Sequence, residues 1–137
     1  MTRPGINLWA VVAAAIAAFV ASSIWYIGLG GVLAELSAAY ADTQSPSPWV
    51  LLGEFLRSLV IAYALARLAA LVRIDDWKGA LGLGAGLWVF PAVILVGSVI
   101  HERYPPMLAG VHAGDWLIKL LVMALIIGAL RRKPSKQ

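Results

Sequence analysis

Polar and apolar residues in this chain fall into long blocks, with little of the short-period alternation of an amphipathic helix or half-buried strand. Four apolar runs, Ile6–Leu29, Pro48–Leu71, Gly79–Ile100 and Val111–Leu130, are separated by short polar stretches. A helix rising about 1.5 Å per residue crosses a hydrocarbon core of about 30 Å in about 20 residues, so each run suffices. The linkers are too short to fold on their own. The expectation is therefore all-α: a four-helix transmembrane bundle with short loops, forming one integral membrane domain over residues 1–137.

Composition points the same way. The chain is 61% hydrophobic and only 13% charged, with a mean hydropathy of +0.85. A soluble domain carries about 25% charged residues. Cysteine is absent, which removes disulfides, thiolate metal sites and thiol nucleophiles together.

The net charge of +4 matters through its placement. Arg3 precedes the first run; Arg67, Arg73 and Lys78 surround the second linker; Arg131, Arg132, Lys133 and Lys136 follow the last run. The first linker, Ala34–Ser47, holds Glu35 and Asp42 without a cation, and His101–Gly110 holds only Arg103. Cations on alternate linkers predict both termini in the cytoplasm, with the first and third linkers outside. The Arg131-Arg132-Lys133 cluster is then a contact for anionic headgroups, with no nucleic acid implied. Ala39-Tyr40-Ala41 resembles a cleavage site. Yet the apolar run before it far exceeds the roughly 7–15 residues of a signal sequence, so the first helix is expected to be retained.

Packing signals are local. Ala14, Ala18 and Ser22 recur every four residues, a spacing that lets two helix backbones approach closely in lipid. Trp25 and Tyr26, with Trp9 at the other end, suit the two membrane boundaries. The same helical pattern extends to about Tyr40. Asp75-Asp76 offers a cap for the third helix. Gly82 and Gly86 offer a second close contact. Pro91, in mid-run, releases the carbonyl of Leu87 and predicts a kink. The glycines are no phosphate loop, because no Lys-Ser/Thr follows them.

Charge inside the runs carries the candidate chemistry. Glu54, Arg57 and Ser58 share one face of the second helix, and His112, Asp115 and Lys119 share one face of the fourth. Counted from the same membrane surface at about 1.5 Å per residue, Glu54 and Arg57 lie roughly 9–14 Å deep and Asp115 and Lys119 roughly 6–12 Å. An unpaired charge there costs about 2.5–3.5 kcal/mol. The six residues are expected to form one intramembrane polar cluster. Pairing is available within each helix, or across helices as Glu54 with Lys119 and Arg57 with Asp115.

Three functions fit such a cluster. The leading one is a structural, accessory or assembly role in which the charges lock helices, with homo-oligomers expected. The alternative is a small channel or transporter for an ion, proton or polar solute. A membrane-embedded enzyme acting on a lipid or quinone stands third. No catalytic residue, cofactor or metal is assigned: His101-Glu102 has Pro105 where a zinc-binding helix needs its second histidine.

Two stretches also carry a family likeness. Ile6-Asn7-Leu8-Trp9-Ala10-Val11 leads through the alanine-rich helix to Trp25-Tyr26. Near the other end come Glu102-Arg103, Pro105, His112-Ala113-Gly114 and Leu120-Leu121-Val122-Met123. In these the chain resembles the bacterial membrane-protein family catalogued as domain of unknown function 1761. The resemblance implies a four-helix inner-membrane protein and no particular activity. Asp115 stands where that pattern has an aromatic residue, and Lys119 where it has an uncharged one.

Overall fold

The computed structural model describes residues 5–37 and 46–131. Its elements are α1 (Leu8–Gly28), α2 (Gly30–Leu36), α3 (Pro48–Leu71), α4 (Trp77–Leu87), α5 (Val89–Glu102) and α6 (Pro106–Ala129). The architecture is all-helical, and four stretches are long and apolar enough to span a membrane: α1, α3, α4 with α5, and α6. Tyr40, the expected end of the first helical pattern, lies outside the described residues.

Helix ends are set by local chemistry more than by hydropathy. Asn7 caps α1, accepting from the backbone N–H of Trp9 and Ala10. Ser47 caps α3, with Pro48 at the first position, where a missing N–H is harmless. Asp76, not Asp75, caps α4 through Gly79 N–H at 2.9 Å. The fourth span begins at Pro106, five residues before the apolar run suggested, because Pro106 starts a helix for the same reason as Pro48. Gly28 and Gly30 flank a break at Leu29, after which α2 turns Leu33 inward against Leu108 and Val111. Arg73 and Arg103 follow the ends of α3 and α5 in the left-handed region, where glycine is more usual.

The third span is interrupted at Trp88, three residues before Pro91. Pro91 has no N–H to bond the Leu87 carbonyl, while bonds from Trp88 to Gly84 and from Ala92 to Trp88 carry the ladder past the break.

In the arrangement, α1 and α6 pack along each other, α3 packs on α1, and α4 and α5 pack on α6. Asn7 Nδ2 donates to the Leu130 carbonyl at 2.9 Å, so the start of α1 meets the end of α6. At that same end Arg131 reaches Asp75 and the Ala69 carbonyl. The core is built from small residues. Ala14, Ala15 and Ala18 of α1 are fully buried against Ala62, Leu65 and Ala66 of α3 and against Met123, Ala124 and Ile127 of α6. Such close approach is what drives association where lipid is as apolar as the helices. Phe19 and Phe55 add an edge-to-face contact at 6.3 Å.

One packing expectation needs correction. Gly82 and Gly86 are exposed, and a Cβ on either would touch nothing. The close contact uses Ala80-x-x-x-Gly84 instead, two residues earlier and on nearly the opposite face of the helix. A Cβ on Gly84 would stand 2.9 Å from the Leu120 carbonyl oxygen, and one on Gly128 would stand 2.7 Å from Trp77 Cα. Ala124-x-x-x-Gly128 is the matching stripe on α6. Both glycine pairs have the right spacing, and only the neighbouring helix chooses between them.

Gly128→Val should therefore lower stability by about 1–3 kcal/mol through overpacking. Gly82→Ala should hold or raise it by up to about 1 kcal/mol. Thermal unfolding in mild detergent measures both, and equal losses would refute the assigned contact face.

Candidate functional site

The polar face of α6 points at α1. His112, Asp115 and Lys119 occupy successive turns of α6, while Ser22 and Tyr26 stand one turn apart on α1. Ser22 Oγ donates to Asp115 Oδ1 at 2.5 Å. Lys119 Nζ lies 3.1 Å from Asp115 Oδ2, an ion pair whose side chains are only 9% and 5% exposed. Tyr26 OH reaches the same Oδ2 at 3.4 Å and His112 Nδ1 at 2.5 Å. A phenol has one proton; donated to Asp115, it leaves the Tyr26 oxygen to accept from His112 Nδ1–H. The ring of Tyr104 packs on the other side of His112, with centroids 6.1 Å apart.

Two tryptophans frame this network. Trp25 Nε1 donates to the Val111 carbonyl at 3.0 Å, and Trp88 Nε1 donates to the Ala113 carbonyl at 2.8 Å. Gly114 makes room for the first: a Cβ there would lie 2.6 Å from the Trp25 ring. Lys119 Nζ also stands 5.5 Å from the centre of the Trp116 ring, within cation–π range.

The six expected residues do not form one cluster. His112, Asp115 and Lys119 come together, joined by Ser22 and Tyr26. Glu54 and Arg57 form a separate pair on α3 at 2.5 Å, with 39% and 57% of their side chains exposed. Ser58 is buried on the inward face of α3 and belongs to neither pair. The cross-helix exchange of Glu54 with Lys119 and Arg57 with Asp115 does not occur; each base bonds the acid on its own helix. The reason is the packing order. Both α3 and α6 pack on α1, while α3 and α6 touch each other only sparsely.

Ser22 and Tyr26 were legible only as a packing residue and a boundary aromatic. Continuing the Ala14, Ala18, Ser22 stripe by one more turn reaches Tyr26, so a donor pair on the buried face was available to be read. Ala14 and Ala18 are buried in the core, and Ser22 is buried at its polar end.

Chemically, the arrangement is a neutral acid–base pair saturated by hydroxyls, with an imidazole and a phenol at one end. No buried side-chain nitrogen or oxygen among the described residues lacks a partner. No three His, Asp or Glu groups among them converge as a metal site would require.

No curated protein and no solved structure matches the chain. A family model does, over residues 9–128, and its description is protein of unknown function (DUF1761). That span runs from Trp9 through the network between α1 and α6 to Gly128, so the four apolar helices and their shared polar contact lie within a match that makes this membrane protein a member of the DUF1761 family.

Proposed function

We propose that this protein is a structural or accessory protein of a bacterial inner membrane, one integral unit whose buried charges hold helices in register. The observation that carries this reading is the Asp115 carboxylate. Its two oxygens are occupied by Ser22, Lys119 and Tyr26, and it is closed from solvent together with its base. A solute route needs groups that can leave one another to meet an ion. Here the partners of the carboxylate, Ser22, Tyr26 and Lys119, all belong to the protomer. A core so locked acts through its surfaces, as expected of a protein that assembles with copies or other membrane subunits.

Orientation follows from charge. Arg67, Arg73 and Lys78 are exposed at the end of the bundle where Arg131 pairs with Asp75. That end belongs in the cytoplasm by the positive-inside rule, with anionic headgroups around it and both termini on that side.

The competing transport reading gives opposite results in a double-mutant cycle. Asp115→Asn and Lys119→Met should each destabilise the chain by about 3–5 kcal/mol, since each leaves a buried charge unpaired, and the double substitution should recover much of that loss. Thermal unfolding in detergent reads the cycle. Proteoliposomes holding the unaltered chain should pass protons and small ions no faster than empty vesicles. A flux that the double variant abolishes would overturn the proposal. Ser22→Ala removes one bond to the buried carboxylate and should lower stability by about 1–3 kcal/mol, in the same assay.

A further inference from the structure

Among the described residues, nothing packs on the side of α3 turned away from α1. Gly53, Arg57, Val60, Ala64, Arg67 and Leu71 recur at alternating spacings of four and three, and all are exposed. That spacing is the seam of two helices packed side by side, knobs into holes. A shallow, open depression of about 430 Å³ lies on this face, lined by Gly53, Leu56, Arg57, Val60 and Ile61. Four of these stand at i, i+3, i+4 and i+7, the positions that frame a hole for a side chain from a neighbouring helix. Gly53 stands at one corner of the hole, in open space: a Cβ there would meet nothing within 4 Å.

Gly53, Val60, Ala64 and Leu71 alone would be content with lipid; the charge at Arg57 in the seam, with Glu54 beside it, is not. Glu54 and Arg57 satisfy each other yet remain substantially exposed, roughly 9–14 Å along the helix from Pro48. Charge facing acyl chains at such depth is costly and is usually turned to a partner. The occupant must present an acceptor to the guanidinium and a donor to the carboxylate at one particular depth. A second copy of this chain does both. All copies insert with the same orientation, so its Glu54 and Arg57 arrive at the same height.

We propose that α3 is the face on which a second copy docks, the two α3 helices running parallel about a twofold axis normal to the membrane. The interface is isologous, one patch against itself. Gly53 and Ala64 allow the backbones to approach, as small residues do between membrane helices. A guanidinium carries five N–H donors, enough for each Arg57 to hold its own Glu54 and reach its partner's. The inference rests on the membrane-assembly reading above and adds the face through which assembly occurs.

The chain has no cysteine, so single cysteines report contacts without background. Gly53→Cys, Val60→Cys and Ala64→Cys, and Val93→Cys on the exposed face of α5 as a control, would each be purified and reconstituted alone into lipid vesicles and oxidised. Covalent dimers are expected at the three α3 positions and not at Val93. Adding Glu54→Lys to Val60→Cys should lower its dimer yield severalfold, and adding Arg57→Glu as well should restore it. Dimers at Val93 as abundant as at Val60, or monomers throughout with helix content intact by circular dichroism, would overturn the docking face. Neither result bears on the flux measurement, so this proposal and the accessory reading fail separately.

Discussion

One acid and one base, a single turn apart on α6, set the terms on which α1 can join the bundle. Asp115 and Lys119 would pair on an isolated helix, since i and i+4 side chains are neighbours. Pairing cancels most of the cost of the charge but leaves the carboxylate short of bonds, because a carboxylate offers about four acceptor sites and an ammonium fills few of them. In a hydrocarbon setting nothing from solvent completes the set. Ser22 and Tyr26 do, and both come from α1. The pair is therefore local in sequence, whereas its satisfaction is tertiary. A shift of α1 along α6 by one helical turn, about 5.4 Å, would pull the Ser22 hydroxyl out of hydrogen-bond range of Asp115.

Alanine packing and the polar bond are two aspects of one constraint. A serine side chain is short, so it reaches a carboxylate on a neighbouring helix only when the two backbones lie close. Ala14, Ala15 and Ala18 permit that approach on the same face of α1. Larger side chains there would separate the helices and strand Asp115. Gly114 extends the logic to the opposite side of the contact, where its missing side chain admits the Trp25 ring and lets the indole N–H reach the Val111 carbonyl. Trp25-Tyr26 and His112-Ala113-Gly114 meet across this interface, and their contacts have a packing explanation.

The number of spans, their composition and the burial of Ala14, Ala18, Asp115 and Lys119 were legible because bilayer thickness and the cost of charge act on the chain directly. Partner choice was not. Helical geometry placed Glu54 with Arg57 and Asp115 with Lys119 on single faces, but it cannot say which faces meet, and depth alone made the cross-helix exchange look equally good. Packing order decided it, with α1 as the helix that α3 and α6 share. The glycines repeat the lesson. Gly82–Gly86 and Ala80–Gly84 have identical spacing, and the choice belongs to the neighbouring helix. Caps and prolines set two helix starts outside the apolar runs, at Trp77 after the Asp76 cap and at Pro106.

The two ion pairs have the same composition and opposite surroundings. On α6 the pair is enclosed and bonded to a second helix, α1. On α3 the pair faces outward, on a helix attached mainly through α1. A membrane protein gains nothing by keeping a charged pair on its lipid-facing surface unless something meets it there. Enclosure separates the two pairs: the one on α6 is bonded to a second helix of the protomer, and the one on α3 is the charge that the proposed docking face would have to satisfy.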